Sequence, residues 1–62
     1  MAKWKVTFVV GTEKEDETYD YEVVADCHWA YNAPKVGFKM LDDHQQGRVE
    51  KSCLRIEVTP AD

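Results

Sequence analysis

Apolar and polar residues alternate along much of this chain. From Lys3 to Val10, Trp4, Val6, Phe8 and Val10 share one parity, while Lys3, Lys5 and Thr7 take the other. Successive side chains of a strand point to opposite faces, so this is the pattern of a half-buried β-strand. Gly11 and the polar run Thr12–Thr18 interrupt it and predict a hairpin loop longer than the tight two-residue kind. Alternation then resumes. The odd positions 19–31 read Tyr19, Tyr21, Val23, Ala25, Cys27, Trp29 and Tyr31, and the even ones are mostly polar. A period of two held this long predicts one long, bent strand, or two strands in line.

Asn32-Ala33-Pro34-Lys35 reads as a turn, after which Val36, Phe38 and Met40 alternate again. Asp42 to Gly47 reads as a polar loop whose final glycine supplies φ > 0 for a returning strand. The last strand is expected at about 48–58, with a bulge near Lys51-Ser52 because Val49 and Cys53 fall on the opposite parity to Leu54, Ile56 and Val58. The expected fold is therefore all-β: a small antiparallel barrel-like or sandwich-like domain of about five strands with a long bent second strand. The rival is an α+β fold, ββαβ, with a helix over about 27–43 capped by Asp26. Its apolar positions would spread over about 220° of the helical wheel, too wide for one sheet. It would also hold Pro34 and Gly37 in its interior, at costs of roughly 3 and 1 kcal/mol relative to alanine.

At 62 residues the chain is one domain, 1–62, with a small core. A domain of this size buries roughly 60% of the surface its unfolded chain exposes. Hydrophobic residues at 44% and charged residues at 32% exclude collagen-like, mucin-like and fully disordered classes. No stretch approaches the roughly 20 apolar residues of a membrane helix, and Met1 to Lys5 lead into no signal-peptide core. A cytoplasmic protein with reduced cysteines and no membrane association is the expectation.

The net charge of −4 argues against a general nucleic-acid binder, whose affinity rests on neutralising phosphates. That charge is concentrated: residues 13–26 hold seven acids against Lys14 alone, leaving the remainder weakly basic. Glu13, Glu15, Asp16 and Glu17 form the densest part, an acidic hairpin that could imitate a nucleic-acid backbone and occupy a DNA- or RNA-binding protein.

Cys27, His28, His44 and Cys53 have the composition of a zinc site without its spacing, since no C-x₂₋₄-C or H-x₃₋₅-H pair occurs. A Cys27–His28 nucleophile pair fails too, because neighbours on a strand point apart. Gly11, Gly37 and Gly47 match no phosphate-binding loop, and Asp42-Asp43 lie in a polar stretch. No metal, cofactor or enzymatic activity is expected.

Seven aromatic residues, several flanked by lysines, suggest binding. Trp4, Phe8, Tyr21 and Trp29 take the inward parity of the strands. Tyr31 and Phe38, near the turn, are those expected to show an edge. Trp29, Tyr31, Lys35, Phe38 and Lys39 form the expected contact surface for another protein, aromatic anchors rimmed by cations. The same face could stack a nucleotide or a single strand. A homodimer through an edge strand would help so small a domain.

The succession Tyr21-Glu22-Val23-Val24-Ala25-Asp26, Val36-Gly37-Phe38, Asp42-Asp43, Gly47-Arg48-Val49-Glu50 and Leu54-Arg55-Ile56-Glu57-Val58 resembles short uncharacterised bacteriophage proteins. The likeness is one of cadence over residues 18–58. It implies an accessory protein that modulates a host factor in the host cytoplasm, and it transfers no residue's role.

Overall fold

The computed structural model describes residues 2–61. Met1, in the stretch read for a leader, and Asp62, the last residue of the expected domain, lie outside them. The order of elements is β1 (Lys3–Gly11), β2 (Thr18–Asp26), a 3₁₀ turn (Ala30–Asn32), α1 (Ala33–Met40), α2 (Asp43–Ser52) and β3 (Cys53–Pro60). The strands form one antiparallel sheet in the order β2-β1-β3, with both edges open. The architecture is α+β, ββααβ, and the expected all-β barrel or sandwich is incorrect.

Both strands of the first hairpin stand where the alternation predicts. Trp4 faces Ala25, Val6 faces Val23 and Phe8 faces Tyr21 in an unbroken register. These residues meet Ala33, Leu41 and Val49 of the helical layer in one core, whose largest fully buried side chains are Phe8, Val6 and Val10. On the helix-free face Thr7 and Val9 are also buried. They belong to the central strand and are flanked in register by Glu22 and Glu57, and by Asp20 and Arg55.

The long bent second strand does not form. β2 stops at Asp26: one more rung follows, in which the Cys27 N–H donates to the Ala2 carbonyl at 3.1 Å, and Trp4 Nε1 holds the Cys27 carbonyl at 3.1 Å where the chain leaves the sheet. Cys27 keeps its inward place, but Trp29 and Tyr31, expected to continue the strand, stand outside the core.

The strand expected at Val36–Met40 is α1. Pro34 falls in its first turn, where the missing N–H has no intrahelical partner to lose, so the interior-proline cost does not apply. The ββαβ alternative has the α+β class but one helix too few: its span 27–43 holds a 3₁₀ turn and the shorter α1, and α2 follows from Asp43.

The polar loop at 42–47 is the start of α2. Asp42 Oδ1 accepts from the Gln45 N–H at 2.8 Å and Gln45 Oε1 accepts from the Asp42 N–H at 3.2 Å, a reciprocal capping box. Gln46 Nε2 then donates to the carbonyls of Phe38 (3.0 Å) and Leu41 (3.2 Å), tying α2 to the end of α1. The predicted bulge lies later than Lys51-Ser52: Val9 pairs with Arg55 and Val10 with Cys53, so Leu54 is the extra residue.

Gly47 does not take φ > 0; among the described residues no glycine does. It sits in α2 with nothing within 4 Å of the position a Cβ would occupy. Gly47→Ala is therefore expected to stabilise the domain by about 0.5–1 kcal/mol, through helix propensity alone. A rise in the urea midpoint with unchanged m-value would register it.

Candidate functional site

The β2–α1 connection emerges at the Lys3–Asp26 end of the sheet and places Trp29 and Tyr31 on the surface. Trp29 is 57% exposed and packs edge-on against His28, with ring centroids 5.2 Å apart. Tyr31 is 80% exposed. Lys35 and Lys39 lie four residues, about one helical turn, apart on α1, and with exposed Tyr31 on the preceding 3₁₀ turn they make up an outward ridge. Lys35 and Lys39 are exposed on the side of α1 away from buried Ala33 and Gly37. Exposed Met40 ends the helix.

Of the five expected contact residues, Phe38 has a different position. It packs half-buried against the core, its ring edge-on to Phe8 at 6.4 Å between centroids. The helix gives it a direction that an alternating strand would not.

The acidic hairpin occupies the opposite end of the sheet, beyond the Gly11–Thr18 pair. It is an ordered turn. Thr12 Oγ1 accepts from the Lys14 N–H at 3.1 Å and lies 3.1 and 3.3 Å from the carbonyls of Lys14 and Glu17, while Lys14 Nζ meets Glu17 at 3.7 Å. Glu13, Glu15 and Asp16 are exposed. A shallow groove of about 260 Å³ separates this loop from the end of α2, between Glu13 on one wall and Arg48 and Lys51 on the other. Arg48 donates to the Gly11 carbonyl at 3.4 Å, which anchors that wall.

Two further features lie on the edge strands. Asp20, Glu22 and Asp26, counted from sequence among the acids of 13–26, share one parity of β2, are exposed on the helix-free face, and extend the loop's acidity along an edge strand. Lys5 on β1 answers Glu22 at 3.8 Å. The other feature is β3, where Leu54 is 61% and Ile56 44% exposed. Between them Arg55 Nε donates to Glu57 Oε2 at 2.7 Å, and this bond, with the neighbouring negative charge, holds the guanidinium proton more firmly than usual. The signal for both was the alternation itself, which says that two faces differ but leaves open which neighbour covers each.

The cysteines are free and cap opposite ends of the sheet, roughly 26 Å apart along β1, at the levels of Ala2 and Val10. Cys27 Sγ donates to the Trp29 carbonyl and Cys53 Sγ to the Arg55 carbonyl, both at 3.4 Å. Among the described residues no three His, Cys, Asp or Glu side chains gather as a metal would require. No helix among them is long and apolar enough to cross a membrane. The chain matches no family model, no curated protein and no solved structure, so its functional reading rests on its own geometry.

Proposed function

We propose that this chain is a small non-catalytic module that docks onto another protein through Trp29, Tyr31, Lys35 and Lys39. One observation carries the reading: two large aromatic side chains stand exposed beside two lysines, at a place where the core is already closed without them. Exposed rings of this kind supply contact area at low entropic cost, and desolvating them is favourable. Lysines on the rim favour a partner whose matching surface is apolar with acidic borders. Taken with the cadence of phage accessory proteins, the partner is a host protein and the setting the host cytoplasm.

A second reading has its own support. Asp20, Glu22 and Asp26 share one face of β2, with Val24 between the last two, and run on into the hairpin. A line of negative charge along one edge suits a protein that imitates a nucleic-acid backbone.

One experiment separates the two. The wild-type chain, a Trp29→Ala/Tyr31→Ala variant and a Glu13→Gln/Glu15→Gln/Asp16→Asn/Glu17→Gln variant are used to capture proteins from host lysate. Docking through the ridge predicts capture that the aromatic variant loses and the neutralised variant retains. The reverse pattern overturns this reading in favour of the mimic, and equal capture by all three overturns both.

A further inference from the structure

We infer that β3 is a self-complementary edge through which two copies of this chain join their sheets. The two helices lie over β2 and β1, and the side chains they bury come from those strands and from Val58 and Cys53 of β3. Ile56 stands directly opposite Phe8, on the helix side, yet it is 44% exposed where Phe8 is 1% exposed. Its row of the sheet is left uncovered at the open edge. An exposed edge strand bearing apolar side chains is a template for another strand.

The charges on β3 select a second copy as the occupant. Two antiparallel copies of one strand are related by a two-fold axis, and helices on a common side require residues of equal parity to pair. With the axis at Ile56, Ile56 meets Ile56 of the other copy, and Arg55 meets Glu57 on both sides of the axis. This central pairing lies in the regular part of β3, beyond the bulge at Leu54. With the axis at Arg55 or Glu57, identical charges would oppose each other. With the axis at Leu54 or Val58, Arg55 and Glu57 do not face each other. Opposite charges directly across an antiparallel pair stabilise it and like charges destabilise it, so the sequence of β3 favours one register.

The other open edge gives the contrary result. An axis at Tyr21 sets Asp20 against Glu22, one at Glu22 sets that residue against itself, and one at Val23 sets Asp20 against Asp26. Every central register of β2 opposes acids, so β2 repels its own copy where β3 attracts it. The joined sheet has six strands in the order β2-β1-β3-β3-β1-β2, with both helical layers on one side. It leaves the Trp29–Tyr31 ridge and the acidic hairpin free, and it does not depend on the function proposed above.

Sedimentation equilibrium of the full chain tests it. A single edge-strand contact is a small interface, so dimerisation is expected at about 10–100 µM. Arg55→Glu and Glu57→Arg should each weaken it about tenfold or more, because each places two like-charged pairs across the axis. The double variant Arg55→Glu/Glu57→Arg restores both cross-pairs with their signs exchanged and should return to within about threefold of wild type. Melting curves on the same variants show that each is folded, since both side chains are exposed. A chain that stays monomeric to about 1 mM, or a dimer indifferent to the single reversals, overturns the proposal. So does a double variant that stays as weak as the singles.

Discussion

Phe8→Ala is expected to leave most of the protein unfolded at room temperature. Phe8 is 1% exposed, lies in the central strand and packs its ring edge-on against Phe38 across the sheet–helix boundary. Removing a buried phenylalanine costs about 3–5 kcal/mol, part lost transfer energy and part the cavity left behind. A core in a domain of this length supplies only about 3–5 kcal/mol of net stability. The two figures are equal in size, so the folded state should cease to dominate. Far-ultraviolet dichroism at 25 °C and urea titration measure this. A cooperative transition with a midpoint near wild type would mean that the core is not organised around Phe8. Phe8→Leu keeps most of the volume and should remain folded at a cost of about 1–1.5 kcal/mol.

The second large effect is expected at Gly37. A Cβ there would lie 3.0 Å from Val23 Cγ2 and 3.3 Å from Val6 Cβ, so α1 rests on the sheet at a spacing where a side chain at position 37 would crowd both valines. Gly37→Ala gains about 1 kcal/mol of helix propensity but must push back β-branched side chains in two strands. Overpacking of this kind costs typically about 1–3 kcal/mol, and Gly37→Val adds two more methyl groups and should exceed that range. The collision is specific, so Val23→Ala should recover part of the loss in Gly37→Ala, with a coupling of about 0.5–3 kcal/mol in a double-mutant cycle. Additive effects would show that Val23 does not set the helix–sheet distance. Glycine-to-alanine at Gly47, in open space on α2, has the opposite expected sign. The contrast isolates tertiary contact, since helix propensity is common to both.

The same glycine explains how the helices escape a reading of the sequence. A helix that packs closely shows its partner small residues, and α1 buries Ala33 and Gly37 while its large residues Val36 and Phe38 reach sideways to the core. Their positions 36, 38 and 40 therefore mimic a strand. Over eight residues a period of 2 and a period of 3.6 share too many positions to be told apart. Gly37 and Pro34 look like penalties against a helix, yet one lets it approach the sheet and the other opens it. α2 carries a single buried apolar residue, Val49, so hydrophobic periodicity says little about it. Its start was nonetheless legible, because Asp42 followed by Gln45 three residues later is a capping-box pattern in itself.

The candidate site divides in the same way. The exposed lysines and the acidic hairpin could be named from composition and spacing, since charged side chains leave the core wherever they fall. Trp29 fits two places in the sequence, inward by the parity it shares with Tyr21, Val23 and Ala25, and outward in the expected contact surface. The fold decides for the surface, because the chain leaves the sheet after Cys27. Phe38 is the converse, an expected surface ring that the helix returns to the core.

By itself the sequence determined the first hairpin: β1, the polar turn, β2 as far as Asp26, and which of their side chains face inward. Those follow from strict alternation, a local property that needs no knowledge of a partner. What lies between Cys27 and Ser52, and which side of the sheet it covers, only the tertiary structure decided. The segments there are short, and their hydrophobic residues fit two periods. Their form is selected by what they pack against: a sheet close enough to crowd a side chain at position 37, and a central strand whose inward face requires a layer above it.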